Sequence, residues 1–182
     1  MADDKAGMTI EDRARRVRLM LFDVDGVLTD GVLLMHADGS ESKGFHIKDG
    51  AAIVWAQHAG LPVGFLSARS SASTAHRAAQ LAVRIVHQGA QSKASSFDQI
   101  LSDAGLAAEA VSYMGDDLLD LPVLDRAGLS AAPADAVPEV REAVHWVSAA
   151  GGGRGAAREL IELVLRAQGR WAGVVAERAG QR

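Results

Sequence analysis

The sequence predicts an α/β fold, a doubly wound parallel sheet of the Rossmann type with a β-hairpin inserted after its first strand. Two observations carry that expectation. Short apolar runs alternate with stretches of helical spacing along most of the chain, and the pair Asp38-Gly39 sits between two alternating segments. Strand–helix alternation requires crossovers, and right-handed crossovers lay the strands in parallel with helices on both faces.

Each element follows from its residues. Positions 17–22 are mostly apolar, as suits a strand buried on both sides. Segments 32–36 and 42–46 flank Ala37-Asp38-Gly39 and predict the hairpin. Asp49 is placed to cap a helix running to about His58, with Gly60 past its end. Further strands are expected at 61–66, 84–87, 110–114, 129–131 and 145–147. Helices are expected at 70–80, 92–104 and 118–127, with a short one after Pro138. Gly151-Gly152-Gly153 interrupts the chain before a last amphipathic helix, where Ala157, Leu160, Ile161 and Val164 share one stripe. Residues 1–16 are charged throughout and read as a loose leader with one helical turn, 17–169 as one domain, and 170–182 as a tail whose Trp171, Val174 and Val175 suit docking.

Composition excludes several classes of function. The 182 residues fit one full core and would crowd two. A net charge of -4 with signs interspersed gives no footprint for nucleic acid and no polybasic stretch for a membrane. The chain has no cysteine, so disulfides and thiolate metal sites are out. No apolar run nears the roughly 18–20 residues that span a bilayer, and the charged start lacks the core of a signal peptide, so a cytoplasmic protein is expected.

In such sheets ligands bind beyond the carboxyl ends of the strands. Asp23 and Asp25 follow the first predicted strand, Ser67 the second, and Gly115-Asp116-Asp117 the fourth, while Lys93 opens the helix after the third. These groups suit phosphoryl transfer. Crowded carboxylates repel one another, and a hard cation relieves them. Asp23, Asp116 and the backbone carbonyl of Asp25 are the expected Mg²⁺ ligands. Asp23 is the candidate nucleophile, which splits one displacement into two through an aspartyl-phosphate. Asp25 is the candidate acid/base, protonating the leaving alkoxide and then deprotonating water. Ser67 and Lys93 are placed to hold phosphoryl oxygens. Asp120 is expected to orient Lys93 or the metal's surroundings without touching the ion, and Asp117 either supports the metal or starts a helix. Turn capping for the aspartates, helix capping for Ser67 and a solvated lysine at 93 are the plainer alternatives.

The stretch Asp23-Val24-Asp25-Gly26-Val27-Leu28-Thr29 resembles the first motif of the haloacid-dehalogenase-like superfamily. Ser67, Lys93 and Gly115-Asp116-Asp117-Leu118-Leu119-Asp120 resemble its second, third and fourth, in matching order over about residues 17–130. Capped members insert a lid between these motifs. Here the spacing leaves room for the hairpin, a helix and a strand, and then for another helix and strand, so no cap domain is expected.

Thr29-Asp30-Gly31, Phe45-His46-Ile47-Lys48-Asp49-Gly50 and Gly152-Gly153-Arg154-Gly155-Ala156-Ala157-Arg158-Glu159 resemble an uncapped branch, the 3-deoxy-D-manno-octulosonate 8-phosphate phosphatases, over residues 17–169. That resemblance implies a phosphorylated sugar-acid substrate, a step toward lipopolysaccharide sugar, and a homotetramer whose hairpins associate. It also implies that Arg154 approaches the substrate from an adjacent subunit, where its forked donors suit a carboxylate. Arg69 and Lys48 are candidates for substrate binding or for plain surface roles. Ala68 departs from the pattern, where glycine is more usual. Three alternatives stay open: a nonulosonate 9-phosphate phosphatase, a non-catalytic scaffold of the same fold, and a glycine run at 151–155 that serves as a mobile linker.

Overall fold

The computed structural model describes residues 7–180. The chain runs from α1 (Ile10–Arg16) into β1 (Leu19–Phe22), through the hairpin strands β2 (Leu34–Met35) and β3 (Glu41–Ser42), and into α2 (Ile47–His58). β4 (Val63–Leu66), α3 (Ala72–Gln80), β5 (Ile85–His87) and α4 (Lys93–Ala104) follow. After β6 (Val111–Met114) come a 3-10 turn (Leu118–Asp120) and the single-turn α5 (Leu121–Leu124). The chain closes with β7 (Leu129–Ala132), α6 (Pro138–Ala143), β8 (Trp146–Val147), α7 (Ala156–Ala167) and α8 (Trp171–Ala179).

Six strands form one parallel sheet in the order β5-β4-β1-β6-β7-β8, the doubly wound fold that the alternation predicts. β2 and β3 pair antiparallel as a separate ribbon. The chain leaves β1 toward β4 on one side and later returns to β6 on the other, so the loops after β1 and β6 part and leave a crevice between them.

β1 is apolar at every position because both of its faces are covered. Leu19 and Leu21 join the layer that contains Phe97, Ile100, Val123 and Val140 from α4, α5 and α6. Met20 and Phe22 join the opposite layer, with Ile53 of α2 and Leu160, Ile161 and Val164 of α7. The predicted stripe on α7 is therefore the helix face that meets the sheet. Gly105 ends α4 in the left-handed region at φ 61°, as a residue without Cβ does at low cost.

The structure corrects several sequence expectations. The part of the expected leader from Ile10 to Arg16 is helix α1, with Arg13 and Ala14 buried, because Ala14 belongs to the core that α7 completes. Residues 1–6 of that leader, and 181 and 182 of the tail, lie outside the described residues. The rest of the tail forms α8 and docks as expected through Trp171, 6.0 Å from Trp55 between ring centres, and Val174, buried in the core, while Val175 stays exposed. The helix expected at 118–127 is broken, since Pro122 sits in the first turn of α5 and cannot continue the preceding turn.

Asp49 does not cap its own helix, whose N-cap is His46. It is buried inside the first turn, and its carboxylate accepts from the N–H groups of Gly155 (3.1 Å) and Arg158 (2.8 Å) at the start of α7. It satisfies the orphan donors of a helix more than a hundred positions away.

The glycine run is a packed segment, not a mobile linker. Gly152 donates to Asp135 at 2.8 Å and Gly153 donates to the carbonyl of Val27 at 2.9 Å. A Cβ at Gly152 would overlap the carbonyl oxygen of Gly26, and one at Gly153 would press on Thr29 and Asp30. Only hydrogens at these positions let α7 begin against the loop after β1. Gly152→Ala is expected to destabilise the protein by about 1–3 kcal/mol through forced backbone displacement, read as a lower midpoint in urea unfolding.

Candidate active site

The loop after β1 is a compact turn. The N–H of Asp23 still belongs to the sheet, donating to the carbonyl of Met114 at 3.0 Å, and the N–H groups of Leu28 and Thr29 both donate to Val24. Thr29, buried, accepts from Gly31 through its hydroxyl at 3.2 Å. Gly26 has φ 98°, and a Cβ there would overlap the Asp116 carboxylate. Glycine at 26 thus lets the loops after β1 and β6 close on each other.

Lys93 is the first residue of α4, a place where the helix dipole disfavours a cation. Its side chain turns away from solvent toward the sheet. The ammonium donates to Asp23 Oδ1 at 2.7 Å, to Asp120 Oδ1 at 2.5 Å and to the Tyr113 hydroxyl at 3.3 Å. Burial pulls the Lys93 pKa down, but the two carboxylates carry it above its usual value, so the group stays charged. Asp120 is buried and fully engaged. One oxygen accepts from Lys93 and Tyr113, and the other accepts from the N–H groups of Asp116 (3.0 Å) and Asp117 (3.2 Å). All four acceptor positions of its carboxylate are taken.

Asp23, Asp116 and Asp120 each place an oxygen within 4.8 Å of the others. With Asp120 saturated, Asp23 and Asp116 are the carboxylates with room for a cation. Their titration reports the crowding. Burial, assisted by the Asp120 charge and opposed by Lys93, raises Asp23 to about 6. Burial, then the charges of Asp23 and Asp120, raise Asp116 to about 8. Two carboxyls held protonated so far above the usual range form a site that a hard divalent cation relieves, and the all-oxygen donor set suits Mg²⁺.

A cleft of about 180 Å³ opens beside this cluster, lined by Asp23, Asp25, Ser67, Ala68, Arg69, Lys93, Asp116, Asp117, Leu119 and Asp120. A roomier groove of about 600 Å³ lies by Trp146, Glu159 and Leu163, where no comparable set of groups converges. Ser67 is buried, and its hydroxyl accepts from the Arg69 N–H at 3.2 Å. Asp117 accepts from the Leu118 N–H at 2.7 Å and caps the 3-10 turn, so its carboxylate serves the helix start. Lys48 is exposed on α2 and does not line this cleft. Neither does Arg154, which is exposed and lies 3.7 Å from Asp30.

Residues 65–160 match the family model of the haloacid dehalogenase-like hydrolases. The chain is 39% identical over 158 residues to the Escherichia coli K12 3-deoxy-D-manno-octulosonate 8-phosphate phosphatase KdsC, covering 87% of this chain and 84% of that one. It belongs to the haloacid dehalogenase-like hydrolases. Among solved structures of these hydrolases, the Moraxella catarrhalis 3-deoxy-D-manno-octulosonate 8-phosphate phosphatase, in complex with magnesium ion, phosphate ion and KDO, superposes with a TM-score of 0.90 at 30% identity, over 92% of this chain and 97% of that one. The cobalt-bound deoxy-D-mannose-octulosonate 8-phosphate phosphatase of Haemophilus influenzae superposes with a TM-score of 0.84 at 38% identity, over 86% and 92%.

The structure also brings to this hydrolase's site three residues that the sequence reading passes over. Lys43 sends its ammonium to Asp25, 2.7 Å from Oδ1 and 2.9 Å from Oδ2. Glu41 holds Arg69 at 2.8 Å, and Arg69 in turn lies 3.7 Å from Asp25. Tyr113 donates its hydroxyl to Asp120, and burial, with the Asp120 and Asp23 charges behind it, pushes its pKa well up, so it remains a donor. Two signals were available. Glu41 and Lys43 are two apart in the extended segment after an Asp-Gly turn and so share a face, and the chain's only tyrosine stands just before Met114-Gly115-Asp116.

The raised carboxyls set a pH dependence with a definite sign. Unfolded, Asp23 and Asp116 titrate near 3.8; folded, they hold protons to about 6 and 8. Between these limits the folded chain binds more protons than the unfolded one, so without metal its stability falls as pH rises from about 4 to 8. Urea unfolding in chelator is expected to show this fall and magnesium to flatten it. Asp116→Asn should raise metal-free stability by roughly 1–2 kcal/mol near pH 8 and abolish the magnesium effect.

Proposed function

We propose that this chain is a magnesium-dependent phosphatase that hydrolyses 3-deoxy-D-manno-octulosonate 8-phosphate to the free sugar acid and phosphate, a step toward lipopolysaccharide sugar. The observation that carries the reading is the meeting of Asp23, Asp116 and Lys93 at one sheet rim, beside Asp25, in a chain whose relatives are named for that activity.

In this reading Asp23, Asp116 and the Asp25 carbonyl would hold Mg²⁺, which would supply positive charge against the crowded carboxylates and the phosphoryl group. A carboxylate oxygen of Asp23 attacks phosphorus, and the bond from phosphorus to the sugar oxygen breaks. Asp25 gives its proton to the departing alkoxide. It then takes a proton from the water that attacks the aspartyl-phosphate, which frees phosphate and restores Asp23. Lys93 and the Ser67 hydroxyl bind the phosphoryl oxygens, with Lys93 kept in place by Asp120 and Tyr113. Asp117 supports the turn that carries Asp116.

Arg69 faces the same cleft and is suited to the substrate carboxylate, Arg154 serves the substrate of an adjacent subunit in a homotetramer, and Lys48, outside the cleft of its own chain, is a candidate for substrate binding or for a plain surface role. Leu34, Met35 and Val32 of the hairpin are exposed and apolar, which supports association there. Among the described residues no helix is long and apolar enough to cross a membrane, and a cytoplasmic enzyme fits this.

The test is a panel of phosphorylated sugar acids with and without magnesium. The eight-carbon substrate is expected to lead, and a clear preference for a nonulosonate 9-phosphate would overturn the substrate assignment. Asp23→Asn should lower turnover by at least about a thousandfold, and no loss would end the covalent mechanism. Arg154→Ala should raise KM for the sugar-acid phosphate by about tenfold in the assembled protein.

A further inference from the structure

The two catalytic aspartates of the proposed mechanism do not share one counter-ion. Lys93 reaches Asp23 from α4, whereas Asp25 is met by Lys43, which follows β3 of the hairpin. The Lys43 side chain has no solvent exposure. Its ammonium hydrogen-bonds Asp25 Oδ2 at 2.9 Å, lies 2.7 Å from Oδ1, and has Thr74 Oγ1 at 3.5 Å and Glu41 Oε1 at 3.6 Å.

A buried ammonium is costly, and ion pairs of this sort seldom add net stability over an apolar side chain of similar size. The hairpin is also tied down without it. Ser73 donates to the Glu41 carbonyl at 3.2 Å, and Arg69 pairs with the Glu41 carboxylate at 2.8 Å. An acid/base group that serves a leaving alkoxide and then a water must present its carboxyl at one spot in both steps. Lys43, hydrogen-bonded to Oδ2 and in charge contact with Oδ1, fixes the rotation of that carboxyl and leaves Oδ1 without a hydrogen bond; Arg69 at 3.7 Å, and already engaged by Glu41, does so less firmly.

We propose that Lys43 is the positioning residue for Asp25, so that the segment leaving the hairpin delivers part of the proton-transfer machinery. The inference rests on the reading of Asp25 as acid/base. It makes the dependence on the leaving group the diagnostic quantity. A sugar alkoxide needs its proton in order to depart, whereas a nitrophenolate departs readily without one. A residue that merely stabilises the hairpin would slow both substrates alike.

The experiment measures kcat/KM of the full chain with magnesium, for 3-deoxy-D-manno-octulosonate 8-phosphate and for 4-nitrophenyl phosphate. In Lys43→Met the ratio of sugar to aryl kcat/KM is expected to fall by about thirtyfold, within what misplacing a general acid costs, and Lys43→Arg should recover much of it. In an Asp25→Asn background Lys43→Met should leave the ratio where Asp25→Asn alone puts it. If Lys43→Met does not fold, Lys43→Gln carries the same readout. An equal fall for both substrates, no fall for either, or a further drop of the ratio in the Asp25→Asn background would overturn the proposal. A wild-type protein that hydrolyses neither ester would instead overturn the phosphatase reading beneath it.

Discussion

Lys93 reaches from the first turn of α4 into a buried gap between the tip of β1 and the turn after β6, where its ammonium meets both Asp23 and Asp120. Three segments distant in sequence are joined through one charge. Removing Lys93 would leave two buried carboxylates without their shared counter-ion, which costs roughly 3–5 kcal/mol. A cation at a helix N-terminus is also misplaced with respect to the dipole, and only the two carboxylates compensate it. Assembly of the site and closure of this part of the fold are therefore the same event.

That event leaves one demand unmet. Lys93 is a single positive charge among Asp23, Asp116 and Asp120, and burial, together with the neighbouring carboxylate charges, raises Asp23 and Asp116 in spite of it. Asp120 spends its oxygens on Lys93, Tyr113 and two backbone N–H groups, and so orders the surroundings of the cluster. The division is physical: the carboxylate with every acceptor position filled organises, and those with room left over invite an ion.

The sheet and its rim were legible because both rest on local patterns. A strand covered on both faces must be apolar throughout, as 19–22 and 63–66 largely are, and the groups just past such strands fall at one edge by topology alone. Less was legible where a residue answers to a distant partner. Asp49 has the local signature of a helix cap, yet the donors it satisfies belong to α7, and nothing within a few positions announces them. Pro122 was a visible signal that the segment after Asp120 breaks. The close approach of Gly152 to Gly26 depends on how α7 meets the loop after β1, a tertiary fact that a glycine-rich string shares with flexible linkers. Lys43 belongs to the same class, since its meaning lies in where the ribbon folds back.

The ribbon touches the rim through Glu41 on its returning strand and Lys43 just past it, while its outgoing strand and tip face outward with Leu34, Met35 and Gly39 exposed. Insertions or deletions near that tip can therefore be absorbed without shifting the phosphorus-handling groups, provided the returning strand keeps its register. The tip is thus a place where the sequence can vary without disturbing the rim. A slip of one residue there would turn Glu41 and Lys43 to the other face and silence a site whose aspartates had not moved.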